Sequence, residues 1–246
     1  MSAPQLPWIR AHEPLPSPSE AWGHDTPWPG LLCASEDLTA KRLIEAYAQG
    51  IFPWFTRNEP VLWWSTDPRL VLQTNTYQCH HSLRKRMRKL LREQRLELRF
   101  DSAFAQVMHH CAHVPRSGQQ GTWITPDIVN AYTDLHDMGH AHSVEAWIDG
   151  ELAGGLYVVN LGHMLFGESM FALQTDASKM ALTALVIFAR LNHLPLIDCQ
   201  QSTAHLQSLG ATEWPRDRFL ESVAHLTRQS SPSWVMPDIA EHLAHL

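Results

Sequence analysis

The segment that most constrains the fold runs from residue 141 to residue 200. It begins with three short apolar or alternating runs, "AHSVEAWI", "ELAGGLYVV" and "HMLFGESMF", which are separated by "DG" and "NLG". Such runs, joined by tight turns, predict an antiparallel meander. The stretch "TDASKMALTALVIFARLNHL" then predicts a capped and mostly buried helix, and "PLIDCQ" predicts one more strand. The second half of the chain should therefore be an α+β structure.

The order of these elements, completed by a helix in "TAHLQSLGA", resembles the acetyltransferase (GNAT-like) core. Upstream, "VLWWS" and "RLVLQT" predict strands, and "EDLTAKRLIEAYAQG" predicts a helix between Thr39 and Gly50. We therefore predict an α+β protein with an irregular, proline-rich lead-in at 1–30 and a small N-terminal α/β domain at 31–75. A GNAT-like domain with a mixed, mostly antiparallel sheet should follow at 76–246.

Composition narrows the class of protein. Hydrophobic residues make up 44% of the 246 residues and charged residues 18%, which is typical of a globular chain. No apolar run approaches the length that crosses a bilayer, and the first 30 residues lack the basic start and apolar block of a secretory signal. The four cysteines lie far apart without C-x-x-C spacing, as expected for reduced thiols. We expect a cytoplasmic protein with no membrane partner.

A basic stretch stands out in a chain whose formal net charge is −6. Eight of the 19 lysines and arginines lie between residues 84 and 99. Residues 82–96 predict an amphipathic helix, with apolar side chains on one side and the basic residues 84, 85, 88, 89 and 92 on the other. Such a face can neutralise a run of phosphates, which favours a nucleic-acid partner. The alternative is a solvated helix face.

Polar side chains end two of the predicted strands. Because side chains alternate along a strand, Asp198 and Gln200 in "PLIDCQ" should share a face, and Glu168 in "FGESM" should end the third meander strand. If both strands belong to one sheet, the three groups converge on one cleft, where they can position or deprotonate an amine. The alternative is that they are solvated strand ends.

A histidine-rich stretch raises the question of a metal site. His109 and His113 are four residues apart in a predicted helix, a spacing that can chelate zinc. No third or fourth ligand is evident nearby, and a chain with 16 histidines contains such pairs by chance. We therefore predict no metal.

Five longer stretches carry a more specific signal. They are "LIEAYAQGIFPWF", "LWWSTDPRLVL", "GTWITPDIVNAYTDLHDMGHAHSVEAW", "GGLYVVNLGHMLFGESMFALQTDASKMAL" and "LIDCQQSTAHLQSLGA". Together they resemble the leucyl/phenylalanyl-tRNA–protein transferase family, in order, from about residue 30 to about residue 222. The resemblance implies a bacterial cytoplasmic enzyme that needs no metal or small cofactor. It implies transfer of leucine or phenylalanine, and less well methionine, from Leu-tRNA or Phe-tRNA to the α-amino group of proteins that begin with Arg or Lys, which marks them for degradation. We expect a monomer.

The resemblance also assigns roles to individual residues. It implies a catalytic set of Asp198, Gln200 and Glu168, in which the aspartate acts through the glutamine on the attacking amine or only positions substrates. Residues around the aminoacyl-adenosine end should be Trp54, Trp123, Tyr47 and Tyr132. Residues of the side-chain pocket should be Leu156, Met170, Leu185 and Ile197. Residues that contact the acceptor stem should be Arg84, Lys85, Arg88 and Lys89.

Two further positions affect these assignments. Strand alternation turns Ile197 away from Asp198, so its pocket role requires the cleft to wrap around the strand end. His81 stands where the family commonly has an arginine, which could weaken one tRNA contact or make it sensitive to pH.

Three other functions remain open from the sequence. An acetyl-CoA-dependent acetyltransferase should present a glycine-rich pyrophosphate loop before the long helix, whereas "FALQTDASKMAL" contains no glycine. An RNA-binding module would explain the basic helix and the tryptophans but would leave "GES" and "IDCQ" without a role. A peptidoglycan cross-bridge enzyme that uses aminoacyl-tRNA usually needs a longer chain with duplicated cores.

Overall fold

A computed structural model describes residues 5–114 and 123–245 of the chain. The strands are β1 (Trp8–Ile9), β2 (Leu31–Ser35), β3 (Phe52–Pro53), β4 (Val61–Trp64), β5 (Arg69–Gln73), β6 (Leu96–Phe100), β7 (Ala141–Ile148), β8 (Glu151–Leu161), β9 (Met164–Ala172), β10 (Leu196–Gln200) and β11 (Thr212–Trp214). The α-helices are α1 (Ala40–Ala48), α2 (His81–Arg92), α3 (Phe104–His113), α4 (Pro126–Asp137), α5 (Ala177–Leu191), α6 (Ala204–Ser208), α7 (Arg216–Leu226) and α8 (Ile239–His242).

The N-terminal part of the chain forms a small four-stranded sheet in the order β1-β2-β4-β3. Strand β1 pairs parallel to β2, and the other strands pair antiparallel. Helix α1 begins after Thr39, whose hydroxyl accepts the backbone N–H of Arg42 at 3.2 Å, as expected for an N-cap. Because Trp8 and Ile9 belong to this sheet, the segment predicted as an irregular lead-in contains a paired strand.

The larger sheet has seven strands in the order β11-β5-β10-β9-β8-β7-β6. Helix α5 crosses from β9 to β10, and these two strands pair parallel, whereas the other pairs of this sheet are antiparallel. The apolar run predicted as a buried helix is α5, of which eleven residues are buried. The prediction of an α+β protein with a small N-terminal part and a mostly antiparallel sheet is confirmed.

Strand β5 lies in the larger sheet, where it pairs with β10 and β11. The sequence-based division grouped this strand with the N-terminal segment 31–75. The chain instead changes sheet between Trp64, at the end of β4, and Arg69, at the start of β5. A strand with five apolar or amphipathic residues can serve either sheet, so the sequence pattern alone could not assign it.

Two strands at the centre of the larger sheet carry bulges. On β9, Gly167 and Ser169 pair with neighbouring residues of β8, so Glu168 is an extra residue without a pairing partner. On β10, Asp198 and Gln200 pair with neighbouring residues of β5, so Cys199 is the extra residue. The pairing between β9 and β10 ends at Phe166 and Asp198. Beyond that point the two strands separate, and bulges of this kind re-aim the side chains next to them.

Candidate active site

The separation of β9 and β10 opens a cleft of about 660 Å³. Its walls combine residues of both bulged strands with residues of β8, α5, α6 and the small sheet. The lining residues are Phe52, Pro53, Trp54, Leu72, Trp123, Leu156, Tyr157, Val158, Gly167, Glu168, Ser169, Met170, Leu182, Leu185, Ile197, Cys199, Gln200, Gln201, Thr203, His205 and Leu206. Predicted catalytic, aromatic and pocket residues thus meet in one place.

Glu168 reaches the cleft from the bulge of β9, and two tyrosines hold its carboxyl group from behind. The Tyr47 hydroxyl donates to Oε1 at 2.7 Å, and the Tyr132 hydroxyl donates to Oε2 at 3.0 Å. The two hydroxyl groups are also hydrogen-bonded to each other. Both tyrosines are fully buried and do not line the cleft. The structure therefore places them as supports of Glu168, not at the surface where an aminoacyl-adenosine would lie.

The environment of Glu168 raises the pKa of its carboxyl group to about 7. Burial is the main cause, because it disfavours the charged carboxylate. The two tyrosine hydrogen bonds lower the pKa in part, and the charge of Asp198 raises it further. In the cleft, Glu168 is thus a carboxyl group that changes charge near neutral pH, as a proton acceptor for an amine should.

Asp198 does not line the cleft, although the sequence predicted that it would share a face with Gln200. Its side chain is fully buried and forms a two-pronged ion pair with Arg69, with Nε to Oδ1 at 2.8 Å and Nη2 to Oδ2 at 2.7 Å. Gln200 turns into the cleft because the bulge at Cys199 interrupts the alternation and Gln200 has a φ of +54°. The same-face prediction is wrong because it assumed a regular strand.

Gln200 lines the cleft. The Nε2 atom of its side chain is buried and has no hydrogen-bond partner among the residues that the structure describes. A buried donor without a partner is rare in a folded protein. The backbone N–H of Gln200 donates to Asp198 Oδ1 at 2.9 Å, so the carboxylate fixes the backbone and not the side chain.

The apolar pocket predicted from the resemblance is present in the cleft. Leu156, Met170, Leu185 and Ile197 all line it, as do Leu72 and Leu182. Ile197 faces the cleft with Cys199, whereas Asp198 points to the opposite side, as alternation before the bulge requires. Ile197 therefore reaches the cleft by ordinary strand alternation, and the wrapping around the strand end that the sequence seemed to require is not needed, because Asp198 lies on the other side.

Two tryptophans flank the cleft. Trp54 is 40% exposed, and its ring packs edge-on against Trp64 with centroids 5.4 Å apart. The Trp64 indole N–H donates to the Trp54 carbonyl oxygen at 2.7 Å, which holds the segment after β3 in place. Trp123 lines the cleft as well. Residues 121 and 122 of the "GTWITP" stretch lie outside the described residues.

The basic residues of α2 lie on one exposed face, as predicted, although the helix ends at Arg92 and not at residue 96. Lys85, Arg88, Lys89 and Arg92 are exposed, and Arg84 is half-buried. Their apolar counterparts Leu83, Met87 and Leu90 are buried. Helix α2 packs against α5, which supplies Leu182 and Leu185 to the cleft. One helix thus connects the basic face with the cleft.

His81 is the first residue of α2 and is exposed. Arg95 and Arg99 follow the helix and pair with acidic side chains, Arg95 with Asp149 at 2.7 Å and Arg99 with Glu97. Lys89 on the exposed face of α2 also pairs with Glu93, but at the longer distance of 3.9 Å. Arg95 and Arg99 are held more closely and are therefore less available to a polyanion.

The histidine pair of α3 is the feature that raised the question of a metal site. His109 and His113 stack on each other with ring centroids 4.3 Å apart. Within residues 5–114 and 123–245, no three His, Cys, Asp or Glu side chains come together in a group that could hold a metal ion. The absence of a bound metal stays a prediction. No helix in the described part of the chain is long and apolar enough to cross a membrane.

Sequence reasoning missed Arg69, Phe52, Thr203 and His205. Phe52, Thr203 and His205 line the cleft, but nothing in their local sequence pattern marks them. Arg69 had a signal, since a charged residue begins the otherwise apolar run "RLVLQ" and is fully buried in the structure. A buried arginine needs a buried partner, which a search for acidic residues in neighbouring strands would have found.

The cleft brings an apolar pocket next to the carboxyl group of Glu168, and α5, which lines it, packs against the basic helix α2. A model of the family "Leucyl/phenylalanyl-tRNA protein transferase" matches residues 71–224, and a model of its N-terminal domain matches residues 36–67. The chain belongs to the leucyl/phenylalanyl-tRNA protein transferase family, and it is an aminoacyltransferase.

Individual relatives agree with this assignment. A leucyl/phenylalanyl-tRNA–protein transferase of Polaromonas sp. is 53% identical over 229 residues, which cover 93% of this chain and 90% of that protein. One of Bordetella bronchiseptica is 52% identical over 235 residues, with coverages of 94% and 91%. A solved structure of a functionally unknown conserved protein from Staphylococcus epidermidis overlaps with a TM-score of 0.40 at 9% identity, covering 75% of this chain and 68% of that one. An overlap that low does not define a shared fold.

Proposed function

We propose that this aminoacyltransferase moves leucine or phenylalanine, and less well methionine, from aminoacyl-tRNA to the α-amino group of proteins that begin with Arg or Lys. The acceptor would thereby be marked for degradation, and the enzyme would act in the cytoplasm as a monomer without a metal or small cofactor. The observation that carries the proposal is the cleft, which joins an apolar pocket to the Glu168 carboxyl and the Gln200 carboxamide.

The pocket supports transfer of an unbranched or γ-branched apolar side chain. Its walls at Leu156, Met170, Leu185 and Ile197 offer apolar surface without a charged group. Discrimination by shape alone is worth only about 1–3 kcal/mol per methylene group. Methionine, which is of similar length to leucine and flexible, should therefore be transferred to a smaller extent.

In this proposal, different residues bind the terminal adenosine and the acceptor-stem phosphates of the tRNA. Trp54 and Trp123 flank the cleft, and their faces suit stacking against the terminal adenosine. Arg84, Lys85, Arg88 and Lys89 on α2 suit contacts with acceptor-stem phosphates, because three of them are exposed and all lie on one side of the helix. His81 adjoins this face at the start of the helix.

The reaction requires that the α-amino nitrogen attack the ester carbonyl carbon. A C–N bond forms, the bond from the carbonyl carbon to the ribose oxygen breaks, and the proton that the amine loses is balanced by the one that the ribose oxygen gains. In this proposal Glu168 takes the proton from the amine. The Nε2 group of Gln200, which has no partner among the described residues, donates to the carbonyl oxygen as negative charge develops. Asp198 does not line the cleft and acts by orienting the backbone of Gln200.

One residue of the cleft is also a candidate for selecting acceptors that begin with Arg or Lys. Glu168 is the one Asp or Glu among the described lining residues. An acceptor with an N-terminal Arg or Lys brings two positive charges, one on its α-amino group and one on its side chain. A carboxylate at this point favours such a cation over a neutral N-terminal residue.

We propose further that the larger sheet is a GNAT-like core. The parallel pair β9 and β10, joined through α5 and separating at one end into a cleft, supports this topology. The division of the chain into a lead-in, a small N-terminal domain and a catalytic domain is likewise a proposal, with its boundary moved to the change of sheet before Arg69. The matches of the two family models, residues 36–67 and 71–224, support that position.

A transfer assay tests the proposed function. The protein is incubated with radiolabelled Leu-tRNA and with two peptides that differ only in beginning with Arg or with Ala. We expect label on the Arg peptide at a rate at least about tenfold above that on the Ala peptide, since a cation near a carboxylate in a partly buried site gains more than about 1.4 kcal/mol. Equal labelling of both peptides, or labelling of neither, would contradict the proposal.

Tyr47 sets the pH range in which Glu168 can act. The Tyr47→Phe variant loses one donor to the carboxylate, and the pKa of Glu168 should rise because that hydrogen bond lowers it. Because the pKa of Glu168 is raised to about 7, activity that needs the carboxylate should rise with pH through about 7 in the wild type. In the variant this limb of kcat/KM should move to higher pH by about one unit.

The matched control is Tyr77→Phe. Tyr77 is also buried, but its hydroxyl is hydrogen-bonded to Thr183, and it does not touch Glu168. The limb should stay at the wild-type position in this variant. A limb that moves equally in both variants, or in neither, would show that Glu168 is not the titrating group.

A further inference from the structure

Arg69 lies behind the cleft in an unusual environment for a charged side chain. It is fully buried at the start of β5, and its guanidinium lies between the rings of Phe52 and Phe219, 4.6 Å and 4.5 Å from their centroids. Phe52 comes from β3 of the small sheet, and Phe219 comes from α7. Three distant parts of the chain therefore fix the position of one guanidinium group.

The guanidinium is tied to the bulge of β10 through Asp198. The carboxylate receives two hydrogen bonds from Arg69, at 2.8 Å and 2.7 Å, and one from the backbone N–H of Gln200 at 2.9 Å. Gln200 has a φ of +54°, in the left-handed region that non-glycine residues seldom adopt. The hydrogen bond from its N–H thus holds a backbone conformation that the chain would otherwise disfavour.

This backbone conformation of Gln200 bears on which residues of β10 line the cleft. Gln200 lines the cleft, whereas Asp198 does not and has its hydrogen bonds made on the core side. Asp198 can therefore act on the substrate in two ways: through the backbone of Gln200, and through its charge, which raises the pKa of Glu168 while Arg69 lowers it. Arg69 acts indirectly. It orients the carboxylate of Asp198, and that carboxylate orients the backbone of Gln200.

We propose that Arg69 is a positioning residue for aminoacyl transfer: through Asp198 it fixes the backbone of Gln200 so that the carboxamide of Gln200 faces the acyl carbonyl. The inference rests on the proposed function of the cleft. It gives Asp198 the role of an anchor and not of the proton acceptor.

If the pair of Arg69 and Asp198 only stabilised the fold, replacing both residues would have a different effect on the rate of transfer. Buried ion pairs often contribute little net stability, and apolar residues of similar volume can replace both partners without loss of the fold. A double variant with Arg69→Met and Asp198→Leu would then keep its activity. If Arg69 positions Gln200, the same double variant should fold and bind tRNA but lose the rate of transfer.

The experiment compares Arg69→Ala, Asp198→Ala, the double alanine variant and the Met/Leu double variant in single-turnover transfer from Phe-tRNA. We expect each to lower the rate about 100-fold, which is typical when a reacting group is misplaced by about 1 Å. Binding of Phe-tRNA, measured separately, should stay within about threefold of the wild type, because α2 is untouched. The double alanine variant should be no slower than the slower single variant, since both changes break one chain of contacts.

Chemical rescue separates positioning from folding. Guanidinium at millimolar concentration should raise the rate of Arg69→Ala, because it can occupy the space between Phe52 and Phe219, but it should not raise the rate of Asp198→Ala. A rate for Arg69→Ala or for the Met/Leu variant within about threefold of the wild type would overturn the proposal. Additive losses of rate in the double alanine variant would also overturn the proposal. The same holds if Arg69→Ala loses tRNA binding and guanidinium does not restore its rate. A wild-type protein that transfers no amino acid would contradict the proposed function instead.

Discussion

Replacing Glu168 with glutamine should lower kcat for transfer about 1000-fold, within the range that a general base contributes. The substitution keeps the shape of the side chain and one oxygen that can accept from a tyrosine hydroxyl, whereas the NH2 group that replaces the other oxygen can only donate to the second tyrosine. It removes the charge and the capacity to take a proton. Single-turnover transfer from Phe-tRNA to a peptide that begins with Arg measures the effect. The rising pH limb near 7 should disappear together with the rate.

The control for this variant is Glu213→Gln. Glu213 lies on β11, is exposed and does not line the cleft, so its loss removes the same charge without changing a lining residue. Its rate should match the wild type. If Glu168→Gln retained more than about a tenth of the wild-type kcat, proton transfer would have to be assigned to another group, and Glu168 would only attract the cationic acceptor.

Removing the basic face of α2 should affect tRNA binding and leave the chemical step intact. The variant replaces Arg84, Lys85, Arg88 and Lys89 with alanine together. Four lost phosphate contacts should weaken Phe-tRNA binding about 1000-fold at 0.15 M salt, since each contact changes the slope of log K against log salt by about 0.9. Binding measured at several salt concentrations should therefore show a slope that is less steep by roughly 3 to 4. At saturating tRNA, kcat should stay close to that of the wild type.

Arg95 and Arg99 provide the matched control. They belong to the same basic stretch of sequence but lie beyond α2 and pair with Asp149 and Glu97. Alanine at both positions should change the affinity for Phe-tRNA by less than about fivefold, because the exposed pairs that are lost contribute little. Equal losses from both sets of variants would show that the protein attracts tRNA by its total charge and not through the face of α2.

Much of the site could be predicted from the sequence. The apolar pocket residues, Trp54, Trp123, Glu168 and Gln200 were expected in one cleft, and all of them line it. Helix α2 and its exposed basic face followed from helical periodicity, because that pattern is local and regular. The tyrosines hold Glu168 from the core side, a contact between residues 47, 132 and 168 that no local pattern encodes, and their place at the adenosine end stays a prediction.

The sequence by itself determined the family, the order of the elements, the apolar pocket and the basic helix, because each depends on local patterns or on ordered similarity along the chain. Only the tertiary structure decided which side of β10 faces the substrate. Strand periodicity predicted that Asp198 and Gln200 would face the cleft together, but a bulge at Cys199 turns Gln200 towards it and leaves Asp198 on the core side. Next to that bulge, Asp198 pairs with Arg69, whose guanidinium contacts Phe52 and Phe219, and a one-dimensional pattern does not contain such contacts between distant elements.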